Sequence, residues 1–61
     1  MLKGAFDVHK DGKFVFNFHN LMAAIRYAEK QSNNEKHIVF SVHNIDMDEA
    51  IMEFKNGNPI P

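Results

Sequence analysis

Four histidines give this 61-residue sequence its main potential for chemistry. An imidazole side chain can bind a metal ion, and it can accept or donate a proton near neutral pH. His9 follows the carboxylate of Asp7 by two residues, and His37 and His43 are separated by six. A histidine beside a carboxylate could act as a general base, and histidines gathered on one surface could bind a metal ion. Either chemistry depends on where the strands and helices place these side chains.

The first third of the chain alternates in a way that predicts a β-hairpin. Leu2, Phe6 and Val8 share one parity, and a second alternating run follows them. Alternate residues of a strand face opposite sides of a sheet. A three-residue loop over residues 10–12 pairs Val8 with Phe14 and keeps the large apolar side chains on one face. A two-residue Asp-Gly turn would separate them, so we predict the longer loop.

A helix and a third strand follow the hairpin. Asn20 is a favourable N-terminal cap for a helix over residues 21–31, because its side chain can accept a hydrogen bond from an amide of the first turn. The apolar stripe of this helix consists of Leu21, Ala24, Ile25 and Ala28. Residues 37–43 alternate again, and this predicts the third strand.

The last part of the chain is predicted to form a second helix. Asp46 and Glu49 have the spacing of a capping box, in which each side chain bonds the backbone near the other. Gly57 suits the C-terminal end of such a helix, and Pro59 prevents its continuation. The apolar stripe would consist of Met47, Ala50, Ile51 and Phe54.

These elements predict one small α+β domain over residues 1–61 with the element order ββαβα. A three-stranded, mainly antiparallel sheet in the order 2-1-3 would carry two helices on one face. The order 1-2-3, with one parallel pair, is the alternative. The predicted core consists of Phe6, Val8, Phe14, Phe16, Phe18, Leu21, Ile25, Ile38, Phe40, Val42, Ile51 and Phe54.

The opposite face of the predicted sheet is available to a partner. Strand parity places all four histidines on this face. Val15 and Val39 would form its apolar centre, with polar side chains around them, as in a small protein interface. The predicted partner-binding residues are Val15, Asn17, Val39, Ser41, His9, His37 and His43.

Strand geometry argues against a metal site or an active site on that face. The six residues from His37 to His43 span about 20 Å of strand, so only pairs of histidines can meet. A structural zinc ion needs four protein ligands, and a flat sheet offers no concave site for a substrate. We therefore predict no metal, no cofactor and no catalytic residue. A histidine-based metal-binding protein or hydrolase is the second alternative function.

Nucleic-acid binding is the first alternative function. The net charge of -1 gives no general attraction to phosphate groups. RNA-binding sheets display aromatic rings on their open face, whereas the aromatic residues here are predicted to face inward. Lys10 and Lys13 flank the hairpin turn and would be the residues that contact phosphates.

The leading prediction is a non-catalytic regulatory or inhibitory protein that binds another protein, of unknown identity, and forms a homodimer. The open sheet face or an exposed edge strand would carry the contact. The strand, Asp-Gly turn and second strand resemble the start of HicB-type antitoxins, and after Phe18 the sequence departs from that pattern, so no residue role carries over. No apolar run approaches the roughly 20 residues of a membrane-spanning helix. The absence of cysteine fits a reducing compartment. We expect a complete, soluble, cytoplasmic protein.

Overall fold

A computed structural model describes residues 3–61, and Leu2 of the predicted first strand lies outside this range. The described chain has one α-helix and one five-stranded antiparallel sheet in the order β2-β1-β3-β4-β5. The elements are β1 (Phe6–Lys10), β2 (Lys13–Phe18), α1 (Leu21–Asn34), β3 (Phe40–Asn44), β4 (Glu49–Lys55) and β5 (Asn58–Pro59). The predicted three-stranded sheet with two helices was wrong, although β1 does lie between β2 and β3.

The first hairpin closes with a two-residue turn and not with the predicted three-residue loop. Lys10 pairs with Lys13, and the turn residues between them are Asp11 and Gly12. Both turn residues have positive φ, 51° for Asp11 and 80° for Gly12. A turn with two positive φ angles matches the twist of the flanking strands, and Asp-Gly is a preferred sequence for it.

A β-bulge in β2 changes the face on which its aromatic residues lie. His9 pairs with Phe14, but the neighbouring Val8 pairs with Phe16, so Val15 is an extra residue in this strand. The predicted pairing of Val8 with Phe14 was therefore wrong. Because of the bulge, Phe16 lies on the helix side of the sheet, as Val8 does, while Phe14 lies on the other side, as His9 does.

Helix α1 begins as predicted and extends further than predicted. The Asn20 side chain accepts a hydrogen bond of 3.1 Å from the amide of Ala23. Ser32, predicted to lie beyond the helix, is inside it and fully buried. Its hydroxyl donates to the carbonyl of Glu29 (2.8 Å) and accepts from the amide of Gly57 (3.1 Å), which fastens the helix to the last turn of the sheet. Within residues 3–61 no helix has the length and apolar character needed to cross a membrane.

The segment predicted as the second helix forms β4, a turn and β5. The Asn44 side chain accepts hydrogen bonds from the amides of Asp46 (3.0 Å) and Met47 (3.2 Å), so Asp46 lies in a turn between strands and does not cap a helix. Asn56 and Gly57 have positive φ, 56° and 77°, and form a second tight turn. Asn-Gly is the most favourable dipeptide for such a turn, and Gly57 is therefore not a helix cap.

The core lies between α1 and one face of the sheet. Its fully buried apolar side chains are Val8, Ala24, Ala28, Phe40, Val42 and Phe54. Five of the other predicted core residues are partly buried around them: Phe6, Phe18, Leu21, Ile25 and Ile38. The remaining three are exposed, Phe14 to 56%, Phe16 to 52% and Ile51 to 36%. The prediction that they belong to the core was wrong for three reasons. Phe14 lies on the face away from the helix, and Phe16 lies on the helix side but in the outermost strand. Ile51 is the extra residue of a second bulge, in β4, where Val42 pairs with Met52 and His43 pairs with Ala50.

Candidate functional site

The sheet face opposite α1 carries a compact set of polar and aromatic side chains, which we call the open face. Strand pairing brings them together, because Asp7 lies opposite Asn17 and His43, and His9 lies opposite Phe14 and Ser41. The open face comprises Asp7, His9, Phe14, Asn17, Ser41, His43 and Glu53. Asp7 and Ser41 are buried, 7% and 8% exposed, in spite of facing away from the helix. The predicted apolar centre of Val15 and Val39 is replaced by this polar set.

Asn17 joins Gly4 to the hairpin through both the oxygen and the nitrogen of its side-chain amide. Its oxygen accepts from the amide of Gly4 at 2.7 Å, and its nitrogen donates to the carbonyl of Gly4 at 2.9 Å. The same nitrogen donates to Oδ1 of Asp7 at 2.7 Å. The side chain predicted to meet a partner therefore already bonds within the chain, and it keeps the buried Asp7 carboxylate satisfied.

His9 and His43 are the two histidines that the fold brings together. Their ring centroids are 4.3 Å apart. Nε2 of His43 also lies 2.8 Å from Oγ of Ser41, and the donor in this pair depends on the tautomer of the imidazole. Burial and then the nearby His9 lower the pKa of His43, while the carboxylates of Asp7 and others act in the opposite direction. At pH 7 the neutral form of His43 is therefore favoured more than that of an ordinary histidine.

The Ser41 and His43 pair has the spacing of a nucleophile and its base. A nucleophile must also reach a substrate, and Ser41 is only 8% exposed on a face without concavity. No pocket is found among residues 3–61. In the same range no group of three or more histidine, aspartate or glutamate side chains is arranged to hold a metal ion. The contact with His43 gives the buried hydroxyl of Ser41 a hydrogen-bond partner, and this explains the pair without a catalytic role.

Several predicted site residues lie away from the open face. His37 and Val39 precede β3 in a loop, where the carbonyl of Val39 accepts a hydrogen bond of 2.9 Å from the amide of Asp11. His19 follows β2 and is exposed. The prediction that all four histidines share one sheet face was wrong, because the third strand begins at Phe40 and not at residue 37.

The lysines proposed for phosphate contact lie on the helix side of the hairpin end. Lys10 continues the face of Val8, and Lys13 is its partner across the turn. The ammonium group of Lys10 is 2.6 Å from the carboxylate of Glu35, next to the end of α1. Lys13 was predicted on the open face, and the two-residue turn, which pairs it with Lys10, places it on the opposite face.

The sequence predicted an exposed edge strand, but it did not predict the exposed aromatic rings at the outer edge of β2. β2 is the outermost strand of the sheet, and it presents exposed rings on both faces. On the helix side, the ring of Phe16 is stacked against Tyr27 with centroids 5.9 Å apart, and Phe18 lies 4.9 Å from Phe16 and 5.3 Å from Tyr27. We call this surface the aromatic edge; it comprises Phe14, Val15, Phe16, Phe18 and Tyr27. The Asp-Gly dipeptide, read as a two-residue turn followed by a bulge, could have predicted it.

A row of three rings crosses the open face from the aromatic edge inward. Phe14 of β2 meets His9 of β1 edge to face, with centroids 6.2 Å apart, and His9 in turn contacts His43 of β3. The ammonium group of Lys3 lies 5.9 Å from the centroid of Phe14 and 4.0 Å from Asp7. The open face therefore does display an aromatic ring, contrary to the prediction that every phenylalanine of the hairpin faces inward.

No protein-family model, curated protein or solved structure matches this chain. The open face and the aromatic edge are the two surfaces through which this chain could act.

Proposed function

We propose that this protein is a non-catalytic binding module that acts by contact with another protein, and that the aromatic edge is its contact surface. The observation that carries this proposal is an edge strand with two phenylalanine rings more than half exposed, Phe14 at 56% and Phe16 at 52%. An edge strand presents unpaired backbone groups that can bond to a further strand. Aromatic residues, phenylalanine among them, are enriched in the buried centre of protein interfaces.

The aromatic edge is a better contact surface than the open face favoured by the sequence. The central groups of the open face, such as Asp7 and Ser41, are already bonded within the chain. A partner that covered them would gain few hydrogen bonds and would desolvate a carboxylate. Residues 14–18, in contrast, include no charged side chain, so their burial costs less.

Capture experiments with matched variants test this contact surface. Phe14→Lys or Phe16→Lys adds a charge to the aromatic edge, and we expect either change to abolish capture of the native partner. Met47→Lys is the matched control, because Met47 is 66% exposed in the turn before β4. Retained capture by both edge variants, with a folded state shown by circular dichroism, would refute the proposed surface.

The biological role that we attach to this module is that of a small regulator or inhibitor in the cytoplasm. The lack of cysteine supports a reducing compartment. Ser41 has a histidine within reach, but its hydroxyl is too buried to attack a substrate. This supports a role that depends on contact and not on catalysis. Expression in the native host with and without the Phe16→Lys change would test this role through the activity of the captured partner.

Single-stranded nucleic acid is the second candidate partner, and the ring row on the open face favours it. Phe14, His9 and His43 lie on three adjacent strands, and exposed rings on a sheet can stack on bases. Lys3 beside Phe14 would contact phosphate in place of Lys10, which is paired with Glu35. This candidate predicts binding of oligonucleotides that weakens steeply with salt and is lost in Phe14→Ala. Absence of binding at low salt would eliminate it.

A further inference from the structure

We infer that the aromatic edge pairs with the same edge of a second copy of this chain, in an antiparallel contact between two β2 strands about a two-fold axis. This inference rests on the proposed function, because it names the occupant of the proposed contact surface. Of the two contacts that the sequence left open for a homodimer, the open face and an edge strand, it selects the edge strand.

Charge favours a second copy at this edge. The only charged residue of β2 is Lys13, at its first position. In an antiparallel pair the two Lys13 side chains lie at opposite ends of the contact, and the uncharged residues 14–18 of the two copies face each other. A net charge of -1 per chain adds little repulsion between copies.

The composition of the core gives a second argument for a partner copy. Among residues 3–61 only six apolar side chains are fully buried, and two of these are alanines, Ala24 and Ala28. A chain of this size buries about 60% of its unfolded surface, so a small domain often gains stability from association. Across the two-fold axis, Phe16 and its neighbour Tyr27 would meet their counterparts and would form a second apolar cluster.

The exposed area indicates a contact of moderate strength. A phenylalanine buries about 150–250 Å² in full, so each half-exposed ring offers about 100 Å² and two rings offer about 200 Å² per copy. A standard interface buries about 800 Å² per partner, which the backbone of β2 and the rest of the aromatic edge would only partly supply. We therefore expect a dimer that dissociates in the micromolar range and not a permanent one.

Sedimentation velocity over low to high micromolar concentrations measures this association. We expect a monomer–dimer equilibrium for the natural sequence and at least a tenfold (about 1.4 kcal/mol) weaker one for Phe14→Lys and for Phe16→Lys. Met47→Lys should dissociate as the natural sequence does. Phe14→Lys keeps the test valid if Phe16→Lys fails to fold, because Phe14 lies outside the core on the open face.

A disulfide test identifies the strand that forms the contact. The chain contains no cysteine, so a single Val15→Cys change introduces one thiol at the centre of β2. Near a two-fold axis the introduced thiols of the two copies would approach each other, and we expect rapid oxidation to a covalent dimer. Met47→Cys, equally free of other thiols, should oxidise to a dimer only slowly.

The outcomes separate this inference from the proposed function. A natural sequence that stays monomeric at every concentration, or cross-linking as fast at position 47 as at position 15, would overturn the inference. If that monomer still captured another protein through the aromatic edge, the proposed function would stand without self-pairing. A dimer that is lost in the edge variants, with no other protein captured, would support the inference and refute the regulatory role.

Discussion

Replacement of Asn17 by alanine should remove much of the stability of this fold. Three of its hydrogen bonds, at 2.7, 2.9 and 2.7 Å, reach Gly4 twice and Asp7 once. A neutral hydrogen bond contributes about 1 kcal/mol, and a bond to a charged group contributes about 1.5–3 kcal/mol. The sum gives a loss of about 3.5–5 kcal/mol for Asn17→Ala, since Gly4 and Asp7 are both buried and would lose their partner.

The expected loss is large compared with the total free energy of unfolding. At about 0.05–0.15 kcal/mol per residue, a domain of this length has only about 3–9 kcal/mol. Urea denaturation followed by circular dichroism measures the difference, with Asn34→Ala as the control because Asn34 is exposed at the end of α1. The control should change the free energy of unfolding by no more than about 0.5 kcal/mol.

A charged variant of the same residue tests the assigned geometry. Asn17→Asp keeps the shape of the side chain but places a second carboxylate beside Oδ1 of Asp7, so the two groups should share a proton. The stability of this variant should rise as the pH falls from neutral. A loss below about 1 kcal/mol for Asn17→Ala, or a stability of Asn17→Asp that is independent of pH, would show that these bonds do not hold the hairpin.

Three further predictions concern other parts of the fold. Gly4→Ala should prevent stable folding, because a Cβ atom at this position would overlap the carbonyl oxygen of Phe18. Thermal unfolding compares the variant with the natural sequence. An unchanged midpoint would contradict the close approach of Gly4 to Phe18. The lowered pKa of His43 means that the unfolded chain takes up a proton first on acidification, so stability should be greatest above about pH 6.5 and should fall as the pH drops towards the folded-state pKa. His43→Gln should reduce this slope in urea titrations at several pH values, and an equal slope would assign it to other groups. Ser32→Ala should cost about 1–3 kcal/mol, because the amide of Gly57 loses its acceptor; equal stability in urea would show that this link is dispensable.

The hairpin shows how far an alternating pattern can determine register. The alternation correctly predicted two strands, but the choice between two loop lengths assumed that β2 has no irregularity. The favoured Asp-Gly turn and the inward position of Phe16 are compatible only if one residue, Val15, is inserted as a bulge. The bulge allows both the Asp-Gly turn and the position of Phe16 on the helix side, and as a result Phe14 is exposed on the other face.

The segment after Asn44 shows a different limit. Met47, Ala50, Ile51 and Phe54 have helical spacing, but Met52 and Phe54 also alternate as in a strand. A short apolar segment with both patterns does not determine its own structure. The Asn56-Gly57 dipeptide and the free edge of β3 favour the strand, because pairing with β3 satisfies backbone groups that a helix there would leave unpaired.

The candidate site was partly accessible from the sequence. Asp7, His9, Asn17, Ser41 and His43 share one face as parity predicted, because all five lie in strands, although β3 begins at Phe40 and not at residue 37. The bonds among these side chains depend on exact cross-strand register, which parity does not give. The predicted order 2-1-3 already placed β2 at the margin of the sheet, but the exposed rings of the aromatic edge also depend on the bulge at Val15, which parity does not predict.

The two margins of the sheet differ in a way that limits how large an assembly can become. At the β4 margin, β5 ends the sheet with Pro59, and the amide of Ile60 donates to the carbonyl of Glu53, so the uncovered start of β4 carries the charge of Glu49. Proline and charge both discourage the addition of another strand. If two chains join through β2, the product exposes only this unreceptive margin at each end. Strand addition should therefore stop at a dimer whose continuous sheet has ten strands, five from each copy. The protein can then keep one edge that pairs with another chain without forming fibrils.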